Sequence, residues 1–330
     1  VGVIGAGTMG QHHVRVVAQT PNVALVGFHD PDTERSGEIC LRHDCVCFET
    51  LEELLDKVEA VSIAAPTSLH LEIGTRCLAR GLHVLMEKPL AHDAASAAQL
   101  VREARDAGVV LMVGHIEAYN PAITALMEVL RADPERIVSI DCRRLMPFDG
   151  SRCMDVDVLH DLLIHDIDLA LEIAASPLRL VSATGRRVYS QQTDVAHVRM
   201  EFENDTVAVF WTGKCSPRKV RSLTVATPSR YMVADTLERS LAVFSASEVP
   251  SVEQGLCTMG EIRTESIPLS DREPLRSEFE DFFRAIREGS KPLVDGDRAL
   301  RGMQALEYVA QAIAEAGTME LPRKNCKQLN

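Results

Sequence analysis

The chain opens on VGVIGAGTMG, residues 1–10. Val1, Val3 and Ile4 make a short apolar strand. Gly5, Gly7 and Gly10 follow at G-x-G-x-x-G spacing, where an amphipathic run carrying Val14, Val16 and Val17 begins. Strand, glycine turn and helix in that order leave few folds open. The first glycine permits a tight turn, the second lets phosphates approach the backbone, and the third lets helix and strand pack closely. Free N–H groups at the helix start, around Thr8 and Met9, then face an anion. Glycine spacing alone is weak evidence, since 19 of 330 residues are Gly. The next strand, Val23 to Phe28, supplies the test, because it leads into Asp30, twenty residues past Gly10. A carboxylate there accepts hydrogen bonds from an adenosine ribose. The stretch therefore predicts a dinucleotide site built from Gly5, Gly7, Thr8, Met9, Gly10 and Asp30.

Asp30 favours NAD over NADP, because a 2'-phosphate beside a carboxylate meets like-charge repulsion. Pro31 and Asp32 follow it rather than Arg, although Arg35 is near enough in sequence to fold back.

Strand and helix patterns then alternate. Cys45 to Phe48 reads as a short strand, Thr50 as the N-cap of Leu51 to Lys57, and Ala60 to Ala64 as a buried strand. Leu69 to Arg80 is helical up to Gly81, Leu82 to Met86 is a strand, Ala94 to Ala107 is a helix stopped by Gly108, and Val109 to Val113 is a strand. Near-continuous apolar strands linked by helices predict a doubly wound parallel sheet, an α/β Rossmann domain over residues 1–118. Past Asn120-Pro121 the pattern changes. After a helix, Ala122 to Arg131, come period-two segments: Ile137 to Leu145, Leu180 to Tyr189, Val195 to Glu203, Val207 to Thr212, Val220 to Ala226, Arg230 to Ala234 and Leu241 to Ser245. Helices are expected over Val158 to Ala174, Glu278 to Glu288 and Ala299 to Ala316. Residues 119–330 thus read as an α+β domain with a large, mostly antiparallel open sheet, whose uncovered face predicts a homo-oligomer.

The net charge of −13 argues against nucleic acid, which needs a concentrated basic surface. No uncharged apolar run approaches the roughly 18 to 20 residues that cross a bilayer. Nine cysteines lie without C-x-x-C spacing, so reduced thiols in a cytoplasmic protein are expected.

Two places carry reactive groups. Glu87-Lys88-Pro89 ends a buried parallel strand, and ligands of such sheets bind outside those ends. A Lys before Pro is ordinarily a solvated loop residue; its position instead aims Lys88 at the nicotinamide. The second place is DVDVLHDLLIHDIDLAL, residues 155–171, where Asp161, His165 and Asp168 fall at i, i+4 and i+7 on one helix face. That face reads as catalytic, with an ion-paired structural helix as the alternative. Its spacing matches no standard metal motif, so no metal is expected.

Gly5, Gly7 and Gly10, the stretch Ala65-Pro66-Thr67 to His70, Glu87-Lys88-Pro89 and Asp161-x-x-x-His165 together resemble the Gfo/Idh/MocA family of NAD(P)-dependent oxidoreductases over nearly the whole chain. The resemblance implies a Rossmann domain, a sheet-rich oligomerisation domain, and a sugar, nucleotide sugar or polyol as substrate. It implies Lys88, Asp161 and His165 as the catalytic trio, and adds Ala65, Pro66, Thr67, His70, Glu87 and Lys88 to the cofactor site. Leu163 departs from the family, where Gly is common. Gly114-His115-Ile116-Glu117, Tyr119-Asn120-Pro121, Arg144-Leu145-x-Pro147-Phe148 and Asp155-Val156-Asp157-Val158 look like a bacterial subgroup acting on the 3-hydroxyl of UDP-N-acetylglucosamine. The diphosphate of a UDP-sugar would need cations, for which Arg143, Arg144 and Arg152 ahead of the catalytic helix are candidates, and the likeness adds His115 and Asn120 as substrate contacts and an aminotransferase to receive the ketone. A dehydrogenase of a free sugar or inositol, and a non-catalytic NAD-binding sensor, are the competing readings.

Overall fold

A computed structural model describes residues 1–149, 157–246 and 261–315, together with the backbone of 318–320. They fall into two compact units, Val1–Tyr119 with Arg272–Gln304, and Asn120–Asp271 with the chain from Ala305 onward. A single cut at 118/119 differs from this division in that Tyr119 and residues 272–304 belong to the first unit.

The first unit begins β1 (Gly2–Ile4), α1 (Thr8–Gln19), β2 (Gly27–His29), α2 (Thr33–His43), α3 (Leu51–Leu55) and β3 (Ala60–Ile63). It continues α4 (His70–Leu78), β4 (His83–Glu87), α5 (Ala94–Ala107) and β5 (Leu111–Gly114). The five strands pair in parallel in the order β2-β1-β3-β4-β5. β1, β3 and β5 are buried throughout, as strands covered on both faces must be. Sequence order reverses between β1 and β3, so the ligand crevice of such a sheet lies outside the carboxyl ends there. Cys45 to Phe48, expected as a strand, contributes a single parallel bridge, Cys47 to Phe28. The strand expected from Val23 begins only at Gly27. Thr50 caps α3 in a reciprocal box with Glu53, and α5 runs between the Asp93 cap and left-handed Gly108.

The second unit carries α6 (Pro121–Ala132), β6 (Ser139–Leu145), α7 (Ile164–Ala174), β7 (Leu178–Arg186), β8 (Val195–Phe202) and β9 (Val207–Gly213). β10 (Val220–Ala226), β11 (Arg230–Asp235), β12 (Ser240–Ala246) and β13 (Ile262–Ser266) follow. Helices α8 (Pro274–Glu288) and α9 (Gly296–Ala314) come next, α8 in the first unit, and β14 (Thr318–Glu320) is last. Among the described residues the sheet has nine strands, ordered β13-β12-β11-β10-β6-β9-β8-β7-β14. Only β6 and β9 pair in parallel. The β8–β9 connection turns at Asp205, whose φ is +63°. One face of β6, β8 and β9 packs inward through Ile140, Cys142, Val198, Met200, Ala208 and Phe210. The opposite face shows Val209 and Trp211, 38% and 44% exposed.

Candidate active site

In the first unit, the β1–α1 turn has the geometry a pyrophosphate needs. Gly5 sits at φ +85°, and a Cβ on Gly10 would lie 1.9 Å from the Gly5 carbonyl oxygen, so neither position admits a side chain. At Gly7 a Cβ would meet only Arg35 Nη1, 3.7 Å away, which leaves the space open. Thr8 and Met9 are exposed at the start of α1, which has no side-chain cap. Asp30 stands at the end of β2. Its Oδ2 accepts from the Ala6 N–H at 2.5 Å and its Oδ1 from the Asp32 N–H at 2.8 Å. The carboxylate thereby pins the glycine turn, and each oxygen keeps a lone pair for a ribose hydroxyl. These residues fit a dinucleotide. Arg35 does fold back, held by Asp32, and brings its guanidinium to the glycine turn.

At the carboxyl end of β4, Glu87 is anchored from two sides. Its Oε2 accepts from the Lys88 N–H at 3.1 Å, and its Oε1 lies 3.0 Å from His13 Nε2 on α1. His13 Nδ1 in turn meets Ser62 Oγ on β3 at 2.7 Å. Burial alone would raise the Glu87 carboxyl; His13 and Lys88 overcome it and hold the group below its usual range. Lys88 is half-buried at the strand end.

His70, expected at the cofactor, is buried with both ring nitrogens facing backbone carbonyls. The ring is 1% exposed and lies behind the loops, with Nδ1 2.9 Å from the Pro89 carbonyl and Nε2 3.0 Å from the Ala65 carbonyl. Pro66 is exposed, and Ala65 and Thr67 are half-buried, at the loop surface in front of it. His115, at the end of β5, is also buried, 2% exposed.

Residues missed at the sequence level complete this end. Glu278 on α8 is fully buried, and its carboxyl oxygens have no hydrogen-bond partner among the described residues. Burial, with Glu87 and Asp281 adding to it, pushes this carboxyl well above its usual range. Next to it, the Phe279 ring meets His13 edge-on at 5.1 Å between centroids. Leu275, Glu278, Phe279 and Phe282 follow i, i+3, i+4, i+7, so the apolar stripe of α8 was itself the signal that Glu278 faces inward. His13 sits likewise in the buried stripe of α1 with Gly10, Val14 and Val17.

In the second unit, the helix carrying Asp161 and His165 opens with a π turn over Leu159–Leu163 before α7. The wider turn breaks the 3.6-residue spacing that placed Asp161, His165 and Asp168 on one face. Asp161 keeps 39% of its side chain exposed, whereas His165 and Asp168 are buried at 9% and 2%. Lys214, just past β9, reaches Asp161 Oδ2 with its Nζ at 3.3 Å, a cation beside the site that the sequence reading missed.

Two expected substrate contacts are engaged elsewhere. Arg144 is 4% exposed, with its Nε and Nη2 donating to Asp166 at 3.0, 3.1 and 2.7 Å. It is a buried structural arginine rather than a cation open to a diphosphate. Asn120 caps α6, accepting from the Ala122 N–H at 3.1 Å and donating to the Thr236 carbonyl at 3.0 Å. Its amide is spent on the fold. Arg152 lies outside the described residues, as do Asp155 and Val156. The described residues contain no His, Cys, Asp and Glu group able to hold a metal ion.

A parallel sheet with this open glycine turn and a carboxylate at the end of β2, together with a large, mostly antiparallel sheet, is the make-up of a dinucleotide-binding protein with a second, sheet-rich unit. Comparison with known proteins specifies which. Residues 1–115 match the oxidoreductase family with an NAD-binding Rossmann fold, and residues 136–228 match the GFO/IDH/MocA C-terminal domain. UDP-N-acetylglucosamine 3-dehydrogenase of Acidithiobacillus ferrooxidans is 32% identical over 314 residues, 94% of this chain and 96% of the relative. A solved structure of that enzyme superposes with a TM-score of 0.87 at 30% identity, covering 95% of this chain and 97% of the other. Inositol 2-dehydrogenase of Rubrobacter xylanophilus is 37% identical over 134 residues, 39% of each chain. The chain belongs to the Gfo/Idh/MocA family of NAD-binding oxidoreductases. No helix among the described residues is long and apolar enough to cross a membrane.

Proposed function

We propose that this chain catalyses the NAD-dependent oxidation of a secondary alcohol on a sugar, the 3-hydroxyl of UDP-N-acetylglucosamine. The observation that carries the reading is similarity along almost the full length of both chains to an enzyme of that name. Bound NAD supplies the hydride acceptor. Neutral His165 takes the hydroxyl proton as the carbonyl forms. The Lys88 ammonium donates a hydrogen bond to the oxygen that gains negative character. Asp161, paired with Lys214, orients the imidazole or an adjacent hydroxyl. Asp30 favours NAD, since its carboxylate repels a 2'-phosphate. The product ketone is chemically suited to transamination, and we place the reaction in the cytoplasm.

The test is to mix the protein with NAD and a panel of nucleotide sugars, free sugars and inositols, and to follow the absorbance of reduced nicotinamide. Reduction with UDP-N-acetylglucosamine and not with free polyols is expected. The reverse preference establishes the second reading, a free-polyol dehydrogenase, which similarity of part of the chain to an inositol 2-dehydrogenase favours.

We also propose that the open sheet face pairs with a second copy of this chain. Trp211 and Val209 are exposed there beside Arg143, Asp141, His197 and Arg199. Apolar side chains flanked by both charge signs on one face suit a two-fold interface. Sedimentation should return a dimer or higher state; a monomer at micromolar concentration removes this proposal.

A further inference from the structure

His70 opens α4 and spans two loops at the carboxyl ends of neighbouring strands. Ala65 follows β3, Pro89 follows Lys88 at the end of β4, and the two strands pair through Ile63 and Met86. The ring nitrogens lie 2.9 Å from the Pro89 oxygen and 3.0 Å from the Ala65 oxygen. Both partners are carbonyls and can only accept. A neutral imidazole has one N–H and one lone pair, so it satisfies one carbonyl and turns a lone pair toward the other. An imidazolium donates to both. At 1% exposure, bulk water is not there to take up the difference.

We propose that His70 is a positioning residue, a proton-linked clasp that holds the Ala65 and Pro89 loops at their cofactor-binding spacing when the ring carries both protons. The proposal rests on the reading of these two loops as the NAD site.

The charged groups on the elements that carry and flank the ring are largely engaged with one another. On α4, Arg76 pairs with Glu72 and with Glu52 of α3. On α5, Glu103 accepts from Thr75 and Gln99. At the end of β4, Glu87 pairs with His13, ahead of Lys88. Glu87 is the group whose charge acts on His70. Burial holds the ring below the usual histidine range, while the Ala65 and Pro89 carbonyls, Glu87 and the Leu90 backbone oppose that. At neutral pH without cofactor, the clasp therefore works with one donor, and acidification completes it. NAD, by fixing both loops, draws the second proton in, so its affinity rises as the pH falls through the His70 titration.

Two measurements test this. The first is nitrogen NMR of the histidine-labelled protein without NAD, with His70 assigned by its loss in His70→Asn. A resonance that passes from one protonated nitrogen to two on acidification is expected. A single neutral tautomer at every pH where the protein is folded overturns the proposal. The second is NAD affinity from pH 8 to pH 5, read by isothermal titration. On the order of tenfold tightening is expected in the wild type, the scale of one charge-assisted hydrogen bond. His70→Asn keeps the donor toward Pro89 and cannot gain a proton, and His70→Phe keeps neither contact. Both should lose the pH-dependent part. Equal pH dependence in wild type and His70→Asn overturns the clasp. Absence of NAD binding at every pH overturns the cofactor reading instead, while the NMR measurement still decides the protonation of the clasp.

Discussion

Replacing Arg144 by Met tests whether this arginine serves the fold or the substrate. Its guanidinium and the Asp166 carboxylate are 5% and 6% exposed and joined at 2.7 Å. Removing the cation takes from a buried carboxylate the guanidinium that pairs with it, and breaking a buried pair typically costs about 3–5 kcal/mol. A domain of 150 to 250 residues loses roughly 2–4 °C of Tm per kcal/mol. Arg144→Met should therefore lower the melting temperature of the second unit by about 6–20 °C. Replacing a whole buried pair by apolar groups is often neutral or stabilising by about 1–4 kcal/mol. The double variant Arg144→Met with Asp166→Leu should therefore recover most of the loss. Trp211 is the single tryptophan and lies on β9 of this unit, so its fluorescence reports that unit's melting. NAD binding below the transition, a property of the first unit, should be unchanged. A wild-type melting temperature in Arg144→Met together with a raised KM for a UDP-sugar would return the guanidinium to the pocket and refute the structural assignment.

The buried carboxyl of Glu278 makes stability depend on pH. Its folded pKa lies above the unfolded value, so its contribution is complete below about pH 4.5 and falls by about 1.36 kcal/mol per pH unit as the pH rises toward the folded pKa. Glu278→Gln has no charge to bury, so it should exceed the wild type in denaturant stability at neutral pH, by a margin that grows from pH 4.5 upward. Superimposable pH profiles would show that the carboxyl is not held neutral. His165→Ala should cut turnover by about 100- to 10,000-fold with NAD affinity nearly unchanged, measured by steady-state kinetics and titration; loss of NAD binding would misplace the residue. Asp30→Ser should weaken NAD binding and strengthen NADP binding, because Arg35 already stands at the glycine turn. Adding Arg35→Ala should abolish the NADP gain, and a gain that survives it would take Arg35 out of cofactor selection.

What could be read directly from the residues was whatever local chemistry determines. Asp93 and Gly108 bracket α5, and Thr50 with Glu53 starts α3, because caps act within a few residues of themselves. α2 escaped notice because TERSGEICLRH buries only Ser36 and Ile39, too few to make a stripe, and its signal was the Asp32 cap. β13 was missed for the opposite reason. All five of its residues are exposed, so its sequence carries no alternation, and pairing with β12 alone makes it a strand. The π turn before α7 is invisible to a 3.6-residue pattern by construction, which is why Asp161 and His165 differ in burial although their spacing put them on one face.

Arg144 shows where reading by residue type gave way to reading by parity. β6 buries alternate residues, Ile140, Cys142 and Arg144, and exposes Arg143 between them. Period two thus placed Arg144 on the inward face, where a charge must be paired. The partner could not be named from the strand alone, since Asp166 lies 22 residues away in the first turn of α7. His13 and Glu278 follow the same rule on α1 and α8, each polar within its helix's buried stripe. A polar residue at an inward position is therefore evidence of a partner or of a neutral form. Of these three, Arg144 has a carboxylate, His13 has Glu87 and Ser62, and the Glu278 carboxyl is pushed by burial well above its usual range.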